Sequence, residues 1–294
     1  KEDAYTLALF AQDEIKLLRN LQALIGVRYI YHENFKNHAT PNVALMYKPG
    51  KFNFRASYAA GFRTPTLSEL YATDIAKKND RLTIGNLDLK PEKNNYFSLS
   101  AEYVHERFSV SVNAFYNNIR DMIDYNTIAT GDKAMEQYGH KEVRQRDNIA
   151  EAKVHGINVS ANAYLGAGFN LSGGYTHLNT QDVELEQPID KSIKNAYNIN
   201  AQWAHSWKIY RLNINLNGRI NSKRFSKSYG YAPEYQLWDL NTRHSFNLKS
   251  VIIEPGCGME NLFDYMDDRP YNSNYATLTP GRSFYISLSL KFKS

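Results

Sequence analysis

The feature that most constrains this chain is a period of two in side-chain polarity, sustained almost from end to end. In residues 210–219 Tyr210, Leu212, Ile214 and Leu216 face one way, and Arg211, Asn213, Asn215, Asn217 and Arg219 face the other. Residues 107–116 and 283–292 repeat the alternation, with Phe108, Val110 and Val112 in one and Phe284, Ile286, Leu288, Leu290 and Phe292 in the other. Such alternation specifies β-strands with one apolar and one polar face. About thirteen strands are expected, centred near residues 10, 26, 45, 55, 99, 112, 158, 172, 200, 214, 241, 256 and 287. Their connections alternate in length. Short ones fall near residues 19–20, 49–51, 106–107, 166–168, 207–208 and 249–250. Long ones occupy roughly 33–40, 62–93, 119–147, 180–193, 222–235 and 264–281.

Greek-key crossovers in a soluble sandwich scatter loop lengths. An up-and-down transmembrane barrel puts tight turns on one side of the bilayer and long loops on the other, with its apolar face toward lipid. The loop pattern therefore selects an all-β, antiparallel up-and-down transmembrane barrel. Aromatics near strand ends (Tyr29, Tyr31, Tyr47, Tyr58, Tyr103, Tyr116, Trp203 and Trp207) suit interfacial girdles as well as ordinary packing. The other face carries Asn, Ser, Arg and Gln, which suits a wide wet or plugged lumen rather than a dry core. Bacterial single-chain barrels have an even number of strands, so about thirteen marks residues 1–294 as the C-terminal part of a larger barrel, its first strands lying elsewhere.

Composition closes other routes. Hydrophobic residues make up 43% of the chain, yet no apolar run approaches the ~18 residues of a transmembrane helix. The net charge is +5, with both signs interspersed and no basic stripe for nucleic acid. Cys257 is the single cysteine, which excludes an internal disulfide. The eight histidines lack short ligand spacing, Asp267 and Asp268 lack the ladder of a calcium loop, and residues 166–168 form a turn rather than a nucleotide loop. No catalytic constellation, metal site or cofactor is expected.

One connection is more specific. The strand before it breaks off in "GFRTPTLSELY", and the next strand opens with "GNLDLKPEKNNYFSLSAEY". These stretches resemble paired boxes of TonB-dependent outer-membrane receptors. "LALFAQDEIKLLRNLQALIGVRYIYHENF", "KVHGINVSANAYLGAGFNLSGGYTHLNTQD" and "MENLFDYMDDRPYNSNYATLTPGRSFYISLSLKF" resemble further family segments, in the right order across nearly the whole chain. Thr64, Leu87 and Asn158 depart from the usual residues, and the chain ends beyond the customary closing aromatic. The matching signature positions are Gly61, Phe62, Arg63, Pro65, Gly85, Asn86, Leu89, Pro91 and Glu92. A structural role is expected for them: Gly61 permits a bend, Pro65 ends the strand at the rim, and Arg63 anchors the loop to lumen carboxylates.

The resemblance implies a 22-stranded barrel with a plugged lumen, located in the outer membrane of a Gram-negative bacterium. It implies high-affinity uptake of an iron chelate (siderophore or haem) or a similar large nutrient such as cobalamin. Energy would come from a TonB–ExbB–ExbD complex acting on an N-terminal plug outside these residues. Outer-membrane lipid and a surface lipoprotein complete the implied partners. Ligand-binding candidates are the loop residues Tyr71, His140, Arg144, Arg146, Arg224, Tyr229, Tyr231, Tyr235, Tyr271 and Tyr275, because tyrosine and arginine suit an anionic, aromatic chelate. Residues 66–85 contain no histidine, which disfavours haem, although His140 offers an axial ligand. The alternatives are a passive porin and a soluble β-sheet binding protein.

Overall fold

The computed structural model describes residues 3–149, 151–226, 230–267 and 279–293. Four wall strands come first: β1 (Thr6–Leu18), β2 (Leu21–His32), β3 (Lys36–Tyr47) and β4 (Phe52–Arg63). The next connection carries a short helix, α1 (Leu67–Tyr71), and two short strands, β5 (Thr73–Ala76) and β6 (Arg81–Ile84). Wall strands β7 (Glu92–Val104) and β8 (Phe108–Arg120) follow, and then β9 (Met122–Thr130), α2 (Gly131–Tyr138) and β10 (Glu142–Ile149) in one connection. The wall resumes with β11 (Ala152–Gly166), β12 (Phe169–Asp182), β13 (Asn195–Trp207) and β14 (Tyr210–Asn221). A small pair, β15 (Arg224–Ser226) and β16 (Gly230–Ala232), precedes β17 (Tyr235–Asn247), β18 (Val251–Glu260) and β19 (Ser283–Phe292).

The thirteen wall strands form a single meander in which each spatial neighbour is antiparallel. Every expected strand centre falls inside one of them. One connection differs from expectation. Residues 33–40 are not a long loop, because β2 and β3 stay paired up to His32 opposite Lys36, leaving a three-residue turn at 33–35. Pro41 hides this pairing in the sequence, since it donates no ladder bond, yet it sits opposite Val27 within the strand. Lys36 takes a left-handed φ of 61° to make the turn, and its ammonium donates to the Glu33 carbonyl at 3.0 Å.

Exposure identifies which face is which. Along β3 the apolar Val43, Leu45 and Tyr47 are exposed while Asn42, Ala44 and Met46 are half-buried, and β8 shows the same inversion. Side chains crowd one another on the concave face of a curved sheet and splay apart on the convex one. The apolar residues are thus convex, with Leu99 at 63% exposure. An outer surface of this kind is a lipid-facing one. The concave face is a polar lattice joined across strands. Ser57 meets Ser98 at 2.6 Å, Ser111 meets Ser160 at 2.7 Å, and the Asn200 amide donates to Asn215 and Asn217 at 2.6 and 2.7 Å.

Aromatic rings bracket the apolar band. Near the short turns Phe52, Tyr103 and Phe108 touch in series, with centroids 4.9 and 5.7 Å apart, as do Trp207, Tyr210 and Phe246 at 5.5 and 5.1 Å. Toward the long connections Tyr58 meets Phe97 at 4.9 Å and Tyr175 meets Tyr197 at 4.7 Å. Trp207 and Tyr197 are about ten residues apart, or ~33 Å along the strand. A tilt of about 40° brings this to ~25 Å, the height of an outer-membrane apolar band. β1 and β19 each keep one unpaired edge and run in the same direction. Closure with antiparallel neighbours throughout therefore requires an odd number of further strands.

Candidate functional site

Among the described residues, the buried apolar clusters lie in the long connections rather than the wall. Leu70 of α1, Leu89 and Ile123 of β9 form one, with Phe35 of the β2–β3 turn against it. Ala129, Ala134 and Val143 form another, flanked by Leu82, Ile128 and Tyr138. Residues 64–91 and 121–151 thus share their cores. They also share a four-stranded sheet, ordered β5-β6-β10-β9, in which β6 and β10 pair parallel across the two connections. The result is one folded cap above the rim.

The signature residues fasten this cap to the wall. Arg63, the last residue of β4, donates to both Glu92 oxygens, Nε at 2.7 Å and Nη2 at 2.5 Å, and its Nη1 donates to Glu69 at 2.9 Å. Glu69 also closes a capping box on α1: its backbone N–H donates to the Thr66 hydroxyl at 3.2 Å, and its carboxylate accepts the Thr66 N–H at 2.8 Å. Glu92 accepts the Ile123 N–H at 2.8 Å, reaching the second connection. The two carboxylates are Glu69 of α1 and Glu92, the first residue of β7, which lies directly opposite Arg63 at the rim. The Glu92 hydrogen bonds raise the Arg63 guanidinium above its ordinary range. Burial pushes both carboxyls up, but the Arg63 N–H groups and the backbone donors outweigh it and hold both below the usual glutamate range.

Around this network the other signature positions explain themselves. A Cβ on Gly85 would stand 2.5 Å from the Leu70 carbonyl oxygen, so only glycine lets the chain pass behind α1. There the N–H groups of Gly85 and Asn86 donate to the Ala72 and Glu69 carbonyls at 2.8 and 3.0 Å. A Cβ on Gly61 would stand 1.6 Å from the Asn94 side-chain oxygen. Pro65 is buried just past the end of β4, Pro91 is half-buried before β7, and Phe62 stacks on His38 with centroids 3.8 Å apart. Asn148 locks the two connections together, accepting the Lys90 N–H at 2.7 Å and donating to the Lys90 and Asp121 carbonyls at 2.9 and 2.6 Å.

The cap sheet has two unlike faces. Val143, Leu82 and Ala129 point toward α2, with Val143 fully buried. On the other face β10 presents Glu142, Arg144 and Arg146, opposite Arg81 and Thr83 of β6 and Tyr125 of β9. The Arg144 Nε donates to Glu142 at 2.6 Å. Arg146 lies over the Tyr125 ring at 3.7 Å and donates to its hydroxyl at 2.6 Å, a cation–π contact combined with a hydrogen bond. The Arg81 Nε is buried without a hydrogen-bond partner. Asp74 of β5 shares this face opposite Thr83, so three cations stand against two carboxylates. Arginine forks, tyrosine and threonine hydroxyls on one cationic platform suit a large anion with planar groups.

The fold therefore brings Arg144 and Arg146 together and adds Arg81 and Tyr125, which sequence reasoning did not single out. His140 lies beside them in sequence, and its Nδ1 is held 2.9 Å from an Asp80 carboxylate oxygen. Tyr71 is exposed at the end of α1. Arg224 and Tyr231 belong to the small pair β15–β16, where Tyr231 packs edge-on against Phe225, and Tyr235 stacks on Tyr265. Tyr229, Tyr271 and Tyr275 lie outside the described residues. Among the described residues no group of three or more His, Cys, Asp or Glu side chains is placed to hold a metal ion.

Comparison with solved structures finds the same wall in siderophore receptors. The ferric enterobactin receptor PfeA of Pseudomonas aeruginosa matches with a TM-score of 0.78 at 20% identity, over 99% of this chain and 45% of that one. The siderophore receptor PirA of Acinetobacter baumannii matches with a TM-score of 0.78 at 17% identity, over 100% and 47%. The ferric preacinetobactin receptor BauA of the same organism gives 0.72 at 17%, over 98% and 43%. The chain thus spans less than half the length of these receptors. The family model described as TonB dependent receptor-like, beta-barrel matches residues 1–262. With its signature boxes fastening a cap to a lipid-facing wall, the chain belongs to the TonB-dependent receptor β-barrel family.

Proposed function

We propose that this chain is the C-terminal part of the barrel of an outer-membrane receptor that captures an anionic iron chelate of siderophore type for energy-coupled uptake. One observation carries the ligand class: the cationic platform of Arg81, Arg144, Arg146 and Tyr125 on the cap sheet, above the apolar band. The siderophore receptors that share its fold support the same class. A plug and nine further strands, an odd number, complete the 22-stranded barrel of this reading. The plug meets the TonB–ExbB–ExbD complex, and outer-membrane lipid surrounds the wall. Capture is binding without chemistry: arginine forks take anionic oxygens, and tyrosine rings and hydroxyls take the planar groups.

The test uses the full-length receptor in detergent. Binding of ferric catecholate, ferric hydroxamate, haem and cyanocobalamin is measured by intrinsic fluorescence and by absorption. A ferric chelate is expected to bind, and R144A/R146A to weaken it at least ten-fold with the protein still folded. Binding of haem or cyanocobalamin alone, or chelate affinity unchanged in the double variant, rejects the reading.

A further inference from the structure

The convex face contains one residue that lipid does not tolerate alone. On β1 the outward positions are Leu7, Leu9, Ala11, Asp13, Ile15 and Leu17, as fixed by the pairing of Ile15 with Ala23 and Asp13 with Ile25. Among the described outward positions between the two girdles, Asp13 is the only Asp, Glu, Lys or Arg. Lys93, Arg120 and Lys153 also point outward, but from the rim beyond the upper girdle. Asp13 is five residues above the last residue of β1, ~17 Å along the strand, with Ile15 and Leu17 between it and the turn. Its depth is that of Ile25 and Val43, four residues above Tyr47 of the lower girdle.

No described residue gives Asp13 a hydrogen bond or an ion pair. A carboxylate at this depth is costly unless it is paired. The neighbours on its own side are settled, since β2 presents Ala23, Ile25 and Val27, none of which donates. Its other side is the free edge of β1, every residue of which is exposed. An edge of this length cannot stay unpaired in lipid, and an incoming strand would set its own outward side chains 4.5–5.5 Å from those of β1, with diagonal neighbours about 7–8 Å away.

We propose that the strand docking on the free edge of β1 carries an outward-facing lysine or arginine opposite or diagonal to Asp13, and that this lipid-embedded ion pair sets the register of the junction. A strand slipped by two residues keeps the inside-out alternation but separates the charges. The pair therefore selects one register where the apolar pattern alone accepts several. Leu7, Leu9, Ala11, Ile15 and Leu17 are interchangeable in this respect, and Asp13 is not. The occupant of the edge is thus a strand of the same receptor with a basic outward residue at one position.

The sign of one substitution tests this. In the full-length receptor reconstituted in phosphatidylcholine vesicles, the denaturant midpoint of unfolding is followed by tryptophan fluorescence for wild type, D13N and D13L. If Asp13 is paired, D13L strands the cation in lipid and lowers the midpoint, and D13N lowers it less. An unpaired carboxylate predicts the opposite, since D13L then removes a charge from lipid and raises the midpoint or leaves it unchanged, which overturns the proposal. The preceding strand supplies a second readout that needs no folding: absence of Lys or Arg opposite or diagonal to Asp13 also overturns it. Exchanging the two charges is expected to recover the midpoint lost in D13L, and failure to recover any of it counts against the pair. The membrane reading fails separately, by extraction of the receptor without detergent.

Discussion

Replacing Arg63 with alanine should loosen the cap without loosening the wall. The side chain makes two hydrogen bonds to Glu92 and, from Nη1, one to each oxygen of Glu69, all charge-assisted. Bonds of this kind contribute about 1.5–3 kcal/mol each when shielded. Arg63 is 42% exposed, so its share is discounted toward surface values. The carboxylates are not exposed to the same degree, at 13% for Glu69 and 17% for Glu92. R63A leaves two mostly buried like charges facing each other, and removing one partner of a shielded pair costs more than the pair contributes. About 2–3 kcal/mol is expected, which corresponds to cap opening roughly 30- to 150-fold more often.

Hydrogen exchange on the full-length receptor reads this directly. Peptides covering residues 64–91 and 121–149 should exchange faster by that factor, including the amides of Gly85, Asn86 and Ile123, while peptides from β11–β14 stay unchanged. R63K keeps a charge but loses the fork, so it should fall between. Acid acts on the same junction. Glu69 and Glu92 both have folded values below the ordinary one. Their fastening is therefore fully present above the unfolded value of about 4.3 and is lost as pH falls through the lower folded values. Cap protection, corrected for intrinsic exchange, should hold from pH 7 to about 5 and fall below about 4. In R63A acid should instead relieve the repulsion and tighten the cap. Equal acceleration in cap and wall, or an acid limb unchanged in R63A, would refute the fastening role.

Other substitutions follow from the same geometry. G85A should cost the cap ~2 kcal/mol or more through overlap with the Leu70 backbone, seen as faster exchange at residues 67–72. N148A removes three hydrogen bonds between the two connections and should cost about 2 kcal/mol, accelerating exchange at 88–91 and 121–123 together. In the wall, L99R places a cation on the lipid side and should lower stability in vesicles by about 2–4 kcal/mol. S100R, one residue on, enters the polar lumen lattice and should cost under about 1 kcal/mol of wall stability. Equal costs for L99R and S100R would contradict the assignment of faces.

The wall was legible because its information is local. A strand half in lipid and half in a wet lumen writes its face assignment into every second residue, and a tight turn into the residues between. All thirteen strands were placed from this alone, and the one misplaced boundary lies where Pro41 and Asn37 interrupt the alternation in β3. The cap was not legible, because its order comes from partners distant in sequence. β6 is the four residues Arg81–Ile84, and its alignment with Glu142–Gln145 of β10 spans about sixty residues of chain. β6 alternates (Arg81, Leu82, Thr83, Ile84) but is too short to stand out, and in β10 only Val143 marks the buried face among Glu142, Arg144, Gln145 and Arg146. Arg81 and Tyr125 were missed for the same reason: nothing near them in sequence marks them as neighbours of Arg144 and Arg146.

Some signals at the junction were readable as chemistry. Thr66 and Glu69 stand three apart in a capping-box pattern, and Gly139 closes α2 in the left-handed conformation, with φ 72°. The paired boxes around Arg63 and Glu92 mark the two strand ends that the guanidinium and carboxylate tie together. Because Arg63 reaches α1 through Glu69 and β9 through Glu92 and Ile123, one guanidinium joins both connections to the rim. This separates the two kinds of constraint on the chain. Lipid and lumen dictate the wall residue by residue, a charged junction and the packing of Phe35 fasten the cap to it, and the residues suited to meet a ligand are left to the sheet carried above.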